Sequence, residues 1–216
     1  MVNINKEVWR YLDNHITIKK TLREDLINVR ALAKKVISDL HLTCSLNATI
    51  SAIRRYDAEV KEHDDLPKVY GLLKKAKVLV RTKLASLLLK KTESVRIKLA
   101  ALYPKIDFAG GDTLRIFEVN KYIKIIIDEK GLEDVQSLFN KSDIVDSEKN
   151  LGELTIIYGI DITKTPGVFA LLSNELAANN VSIVYSTICH SEHLIIVQDK
   201  DLQKGFNVIS GLTVGQ

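Results

Sequence analysis

At 216 residues, with 46% hydrophobic and 27% charged side chains, the chain has the composition of a folded, water-soluble protein with room for two or three small cores. No apolar run approaches the ~20 residues that span a bilayer, and the opening MVNINKEVWR has no apolar signal-peptide core. The two cysteines, Cys44 and Cys189, lie far apart, so a reducing compartment, the cytoplasm, is expected rather than a disulfide framework.

The first third reads as helical. KEVWRYLDN places Val8, Tyr11 and Leu12 on one face beside Trp9, and TIKKTLREDLIN follows it. VRALAKKVISDL carries Val29, Leu32, Ala33, Val36 and Ile37 at the spacing of an amphipathic helix. SLNATISAIRRY is a further helix, with Ser45 as N-cap and Leu46, Ile50 and Ile53 inward. The apolar content then thins through DAEVKEHDDLPK, and Pro67 marks a boundary. These features define an all-α unit over 1–66.

From Lys74 the period changes. KVLVRTKLASLLLKK is a strand alternating at Val78, Val80 and Leu84. TESVRIKLAALYP is a helix capped by Thr92 and stopped by Pro104. DTLRIFEVN and KYIKIIIDE are two strands, and GLEDVQSLFN is a helix. This block is basic: residues 67–105 hold eleven Lys/Arg against the single acid Glu93. It is either an anion- or nucleic-acid-binding face or a solvated, lysine-guarded strand edge. After the polar SDIVDSEKN, the same order returns as ELTIIYGIDI, TPGVFALLSNELAANN, VSIVYSTICH, EHLIIVQD and KDLQKGFNVIS. KKTESVRIKLA matches TKTPGVFALLS and IIIDEKGLEDVQSLF matches IIVQDKDLQKGFNVI, which argues for a duplicated βαββα unit over 74–141 and 151–213.

The corner DITKTPGV joins a strand to a helix. Thr165 is expected to cap the helix, Pro166 to fill its first turn, and Gly167 to admit close approach of a ligand or backbone. Free backbone N–H groups there favour a carboxylate. Asn179 and Asn180 suit a left-handed helix end.

GIDITKTPGVFALLSNELAANNVSIVYSTICHSEHLIIVQDKDLQKGF resembles an ACT domain, a regulatory module of amino-acid metabolism, and is most similar to the ACT units of aspartokinases. The resemblance implies an α+β fold in which two ferredoxin-like βαββα units follow the helical segment. It also implies side-by-side pairing into a homodimer and an amino acid bound at the interface. Carried onto this sequence, the ligand contacts are Asp161, Ile162, Thr165, Pro166, Gly167 and Val168, with Val181, Ser182 and Ile183. Where the second unit has Pro166 and Gly167 the first has Glu93 and Ser94, so the first reads as a degenerate partner.

VRALAKKVISDLHLTCSLNATISAIRRY is similar to a helix-turn-helix, and the whole layout resembles archaeal proteins that join such a segment to ACT units. Its second helix would expose Asn47, Ser51, Arg54 and Arg55 to bases or phosphates, although the connector is long for a tight helix-turn-helix. The alternative partner for this head is an enzyme. No phosphate loop or dinucleotide fingerprint is present, and no cofactor is expected. Cys189, His190 and His193, read as a hairpin tip, make a poor zinc set. A regulator rather than an enzyme is expected, with a purely structural dimer as the third reading.

Overall fold

The computed structural model describes residues 3–61 and 66–214, so the boundary segment 62–65, with His63, lies outside the described residues. The chain divides between Asp65 and Leu66 into two compact units.

The first unit contains four described helices, α1 (Ile4–Asp13), α2 (Ile16–Arg23), α3 (Val29–Asp39) and α4 (Leu46–Lys61). Side chains cap three of them: Asn3 accepts from the Lys6 amide, Asn28 from Ala31, and Ser45 from Ala48. The α3 end is a Schellman turn. His41 takes a positive φ, its amide bonds Ser38 O, and the Leu42 amide bonds Ile37 O. Val8, Leu12, Leu32, Ala33, Val36 and Ile53 form the core, while Val29 and Ile37 are half-buried. Three amphipathic rings tie the helices together: Trp9 Nε1 donates to Ala52 O at 3.0 Å, Tyr11 to Asp39 at 2.6 Å, and Tyr56 to Asp13 at 2.5 Å.

The second unit runs α5 (Leu66–Leu73), β1 (Lys77–Lys90), α6 (Glu93–Leu99), β2 (Leu114–Glu118), β3 (Tyr122–Asp128), α7 (Leu132–Gln136), β4 (Ile144–Ile157), α8 (Val168–Ala178), β5 (Ile183–Cys189), β6 (Glu192–Gln198) and α9 (Asp199–Val214). All pairings in its single six-stranded sheet are antiparallel, in the order β2-β3-β1-β4-β6-β5. The two first strands, β1 and β4, therefore meet as a seam between mirror-ordered halves. Thr92 caps α6 as expected, accepting from the Val95 amide. That helix ends at Leu99, however, and Pro104 sits in a separate 3-10 turn, so proline does not stop it.

The seam departs from simple alternation. Lys83 and Asn150, each in a left-handed conformation (φ 55° and 58°), immediately precede the paired residues Leu84 and Leu151. Each bulge resets side-chain parity. Val78 packs toward the helices and Val80, on the same face, is exposed, whereas Leu84, past the bulge, joins a cluster on the opposite face. The second strand begins at Ile144 rather than Glu153, because VDSEKN is an exposed stretch paired along one edge with β1.

Helices cover one face, in two apolar clusters. One gathers Leu154, Leu172, Leu176 and Ile209 around α8 and α9, and the other gathers Leu87, Leu89, Ile125 and Leu132 in the first half. The other face is buried by curling of the sheet itself. Leu84, Ile126, Leu151 and Ile196 pack there, and Phe117 of one edge strand packs at a tilt against Tyr185 of the opposite edge with ring centroids 4.1 Å apart. Inside that curl lies Glu153, fully buried on β4. Its Oε1 accepts from Thr155 Oγ1 at 2.9 Å and from Arg115 Nη2 at 3.2 Å, with Arg81 Nε at 3.9 Å. Arg115 stands on β2, three strands away in sheet order, so this bond is a direct product of the curl.

Gly152 sets the distance between β4 and α9. A Cβ there would sit 2.6 Å from Leu202 Cδ2 and 3.0 Å from its Cγ, and Leu202 is itself buried. Gly152→Val is expected to lower stability by about 2 kcal/mol through overpacking, read as a fall in the urea midpoint at constant slope.

Candidate functional site

The corner at the start of α8 is held by two backbone bonds to the β5–β6 hairpin tip. Tyr158 N donates to Ser191 O at 2.9 Å and Ile162 N to His190 O at 3.0 Å. Asp161 closes its own turn, its Oδ1 accepting from the Thr163 amide at 2.9 Å and hydroxyl at 2.6 Å. Those bonds, with His190 and Lys164 nearby, hold the Asp161 carboxyl below the usual carboxylate range. At neutral pH it is an exposed anion.

The helix start differs from the expectation. The N-cap of α8 is Gly167, at φ 90°, and Thr165 does not cap it; the Thr165 amide instead donates to Ile162 O at 3.0 Å. Pro166 precedes the cap and lies outside the helix. Glycine is required at 167 because only that residue adopts this φ without strain, and a glycine has no side chain with which to cap. Four N–H groups at a helix start have no intrahelical partner, and at α8 no side-chain hydrogen bond from the cap residue meets them. The contrast with α6 is direct, since its Thr92 cap and first-turn Glu93 supply both a bond and a negative charge.

The nine residues assigned to the ligand fall into two groups. Asp161, Ile162, Thr165, Pro166, Gly167 and Val168 surround the N-terminal end of α8, whereas Val181, Ser182 and Ile183 follow its C-terminal end. Ten helical residues, 169–178, lie between the groups, a rise of about 15 Å, so one copy of the unit does not bring them together. Ile162, Val168 and Val181 are core residues and offer only backbone to a ligand, while Asp161, Pro166, Gly167 and Ser182 are exposed. At the far end the expected left-handed turn is present. Asn180 has φ 55°, its amide bonds Ala177 O, and the Val181 amide bonds Leu176 O.

The sequence places His193 at a hairpin tip, but it lies inside β6 with no exposed surface. Its ring stacks on Phe169, in the first turn of α8, at 5.5 Å between centroids. Ser186 Oγ donates to Leu194 O at 3.1 Å and lies 2.8 Å from His193 Nε2, so the hydroxyl proton is used and Nε2 is the donor. Nδ1 is then a bare acceptor, buried without a hydrogen-bond partner. Burial lowers its pKa to about 4. Periodicity misplaced this residue because the turn is only Cys189 to Glu192, leaving His193 as the second residue of a strand. Among the described residues no three metal-ligating side chains converge.

In the helical unit, Asn47, Ser51, Arg54 and Arg55 all lie exposed along α4, at spacings that put them on one stripe. Six residues, 40–45, connect α3 to α4.

No family model matches the chain, and no curated protein matches it. Solved structures do. The regulatory subunit of aspartate kinase from Thermus flavus superposes with a TM-score of 0.52 at 10% identity, over 62% of this chain and 95% of the other. The ligand-free regulatory subunit from Thermus thermophilus gives 0.50 at 11%, over 62% and 94%. The fold is ACT-like. The aspartate kinase of Clostridium acetobutylicum matches at 0.50 and 14% over 63% of this chain but only 34% of its own. At these identities the likeness is one of fold alone. Among the described residues no helix is long and apolar enough to cross a membrane.

Proposed function

We propose that this protein is a non-catalytic, amino-acid-responsive regulator, built as a helical head on two ferredoxin-like ACT units and working as a homodimer. The observation that carries the reading is the start of α8, where N–H groups without a side-chain cap and an exposed Asp161 lie on one stapled corner. A ligand carboxylate suits the helix N-terminus, and a ligand ammonium suits Asp161. The aspartate kinase regulatory subunits of the same fold support this assignment. Because Ser182 and Ile183 lie at the far end of α8, the complete site needs a second copy to bring its own residues of that group alongside. Ligand binding would then favour one dimer arrangement, in proportion to its difference in affinity for the two.

The test is a thermal-shift screen of the full chain against the twenty amino acids. A ligand at a hundred times its dissociation constant is expected to add about 2.7 kcal/mol of stability. Gly167→Ala should remove the response. Gly111→Ala, which imposes comparable strain at φ 91° in the other half, should not. No hit at millimolar concentration, or a hit indifferent to Gly167, would overturn the reading in favour of a dimerisation module.

The exposed stripe on α4 supports nucleic acid as the target of the head, with a partner enzyme as the alternative. DNA binding that weakens steeply with salt and is lost in Arg54→Ala and Arg55→Ala would decide for nucleic acid.

A further inference from the structure

A cavity of about 680 Å³ opens between α5, α8 and α9, away from the corner just described. Asn179, the C-cap of α8, lies on its wall, whereas Gly167 caps the opposite end of that helix. Tyr70 and Lys74 line it from α5 and the residue after it, and Lys204, Asn207 and Gly211 line it from α9. The volume falls in the range of small-molecule sites.

Among the described residues its wall carries two lysines and one acid. Among the described residues neither Lys74 nor Lys204 has an ion-pair partner, while Glu175, the one acid on the wall, is already partnered. Lys74 follows the C-terminal end of α5, where a cation complements the helix dipole. Lys204 is not at a helix C-terminal end. It stands in the second turn of α9, near the positive end, behind the first-turn acids Asp199 and Asp201. The helix dipole has faded by the second turn, so it neither requires nor forbids a lysine at this position.

Gly211 also bears on this cavity. A glycine inside a helix is less stable than alanine at the same position. Packing explains Gly205 on the same helix, because a Cβ there would lie 3.0 Å from Leu154 Cδ1. Packing does not explain Gly211, whose Cβ would meet nothing within 4 Å. Its absent side chain leaves the cavity wall open. Hydrogen-bonding capacity is also free, since Asn207 Oδ1 accepts from Gln203 Nε2 and leaves the Asn207 amide protons available.

We infer that this cavity binds a small organic oxyanion, a phosphate or polycarboxylate, held between Lys74 and Lys204 with Asn207 donating. The site is independent of the amino-acid corner. Calorimetric titration of the full chain with inorganic phosphate, citrate and AMP, at low and matched ionic strength, tests it. At least one should bind saturably. Loss of either lysine should weaken that binding about tenfold, the scale of one charge-assisted hydrogen bond. Gly211→Leu should abolish it without unfolding the helix, because leucine is the better helix former, and Gly167→Ala should leave it intact. Binding of phosphate and AMP without citrate would identify a phosphoryl ligand, and the converse a polycarboxylate. The proposal is overturned if none binds at millimolar concentration, if Gly211→Leu has no effect, or if Lys141→Ala, on an exposed residue outside the cavity, weakens binding as much as Lys204→Ala.

Discussion

Arg115→Ala is expected to destabilise the sheet unit by about 3 kcal/mol, among the largest effects of any single change in this chain. The reason is what remains behind. Glu153 is fully buried, and without Arg115 its carboxylate keeps only the Thr155 hydroxyl and an Arg81 guanidinium at 3.9 Å. A buried charge stripped of its partner costs far more than the intact pair contributes. Two buried groups, Glu153 Oε2 and Arg115 Nε, already lack hydrogen bonds, so the pair is held by the curl of the sheet and not by ideal geometry. The double variant Arg115→Leu with Glu153→Leu should accordingly recover most of the loss. Calorimetry would follow the sheet unit while fluorescence of Trp9, the only tryptophan, reports the helical one. Equal instability in the single and double variants would show that the pair's role is shape and not charge.

Acid is the second large lever. His193 is held neutral by burial, with its pKa lowered from 6.5 to about 4, so the unfolded chain takes up a proton at a higher pH than the folded one. Stability therefore falls as pH drops from about 6.5 to about 4, and the loss from this residue levels off below that, once the folded form also protonates. The size of the shift corresponds to about 3 kcal/mol across the window. Comparing the wild type with His193→Leu at each pH isolates the effect. The leucine variant should lose correspondingly less between pH 6.5 and 4, and parallel curves would show that His193 gains access to water in the native state. Phe169 stacks on this imidazole from the first turn of α8, so the acid branch should also loosen the start of that helix.

The sequence was most legible where one residue decides one local structure. Thr92, Ser45 and Asn180 act through their own side chain or φ, and each was found where its chemistry placed it. Strand content and order were legible too, because runs such as KYIKIIIDE have no helical reading. Legibility failed where a distant contact decides. Nothing in KVLVRTKLAS shows that Lys83 will bulge, since the cause is the pairing of Leu84 with Leu151, sixty-seven positions away. Glu153, Arg115 and Tyr185 carry no signal in the sequence because a curl that joins opposite sheet edges leaves no local period. Thr165 failed for a subtler reason: as a residue type it is a good cap, but Gly167 accepts the positive φ at which the helix begins, and the start moves two residues later.

The seam has one further consequence. Strand β1 is flanked on both sides from Leu84 to Leu89 but bonds only to β4 from Lys77 to Arg81, and β4 is likewise flanked on both sides from Leu151 to Ile157 but bonds only to β1 from Ile144 to Glu148. Each strand is thus interior for half its length and marginal for the rest. Amide protons along one continuous strand will not open together. The flanked halves will exchange with solvent only through the deepest openings of the unit, and the outer halves through shallow local ones. The middle of the sheet would behave as a slow clamp carrying two fast arms, with the boundary in each strand at the left-handed residue, Lys83 or Asn150.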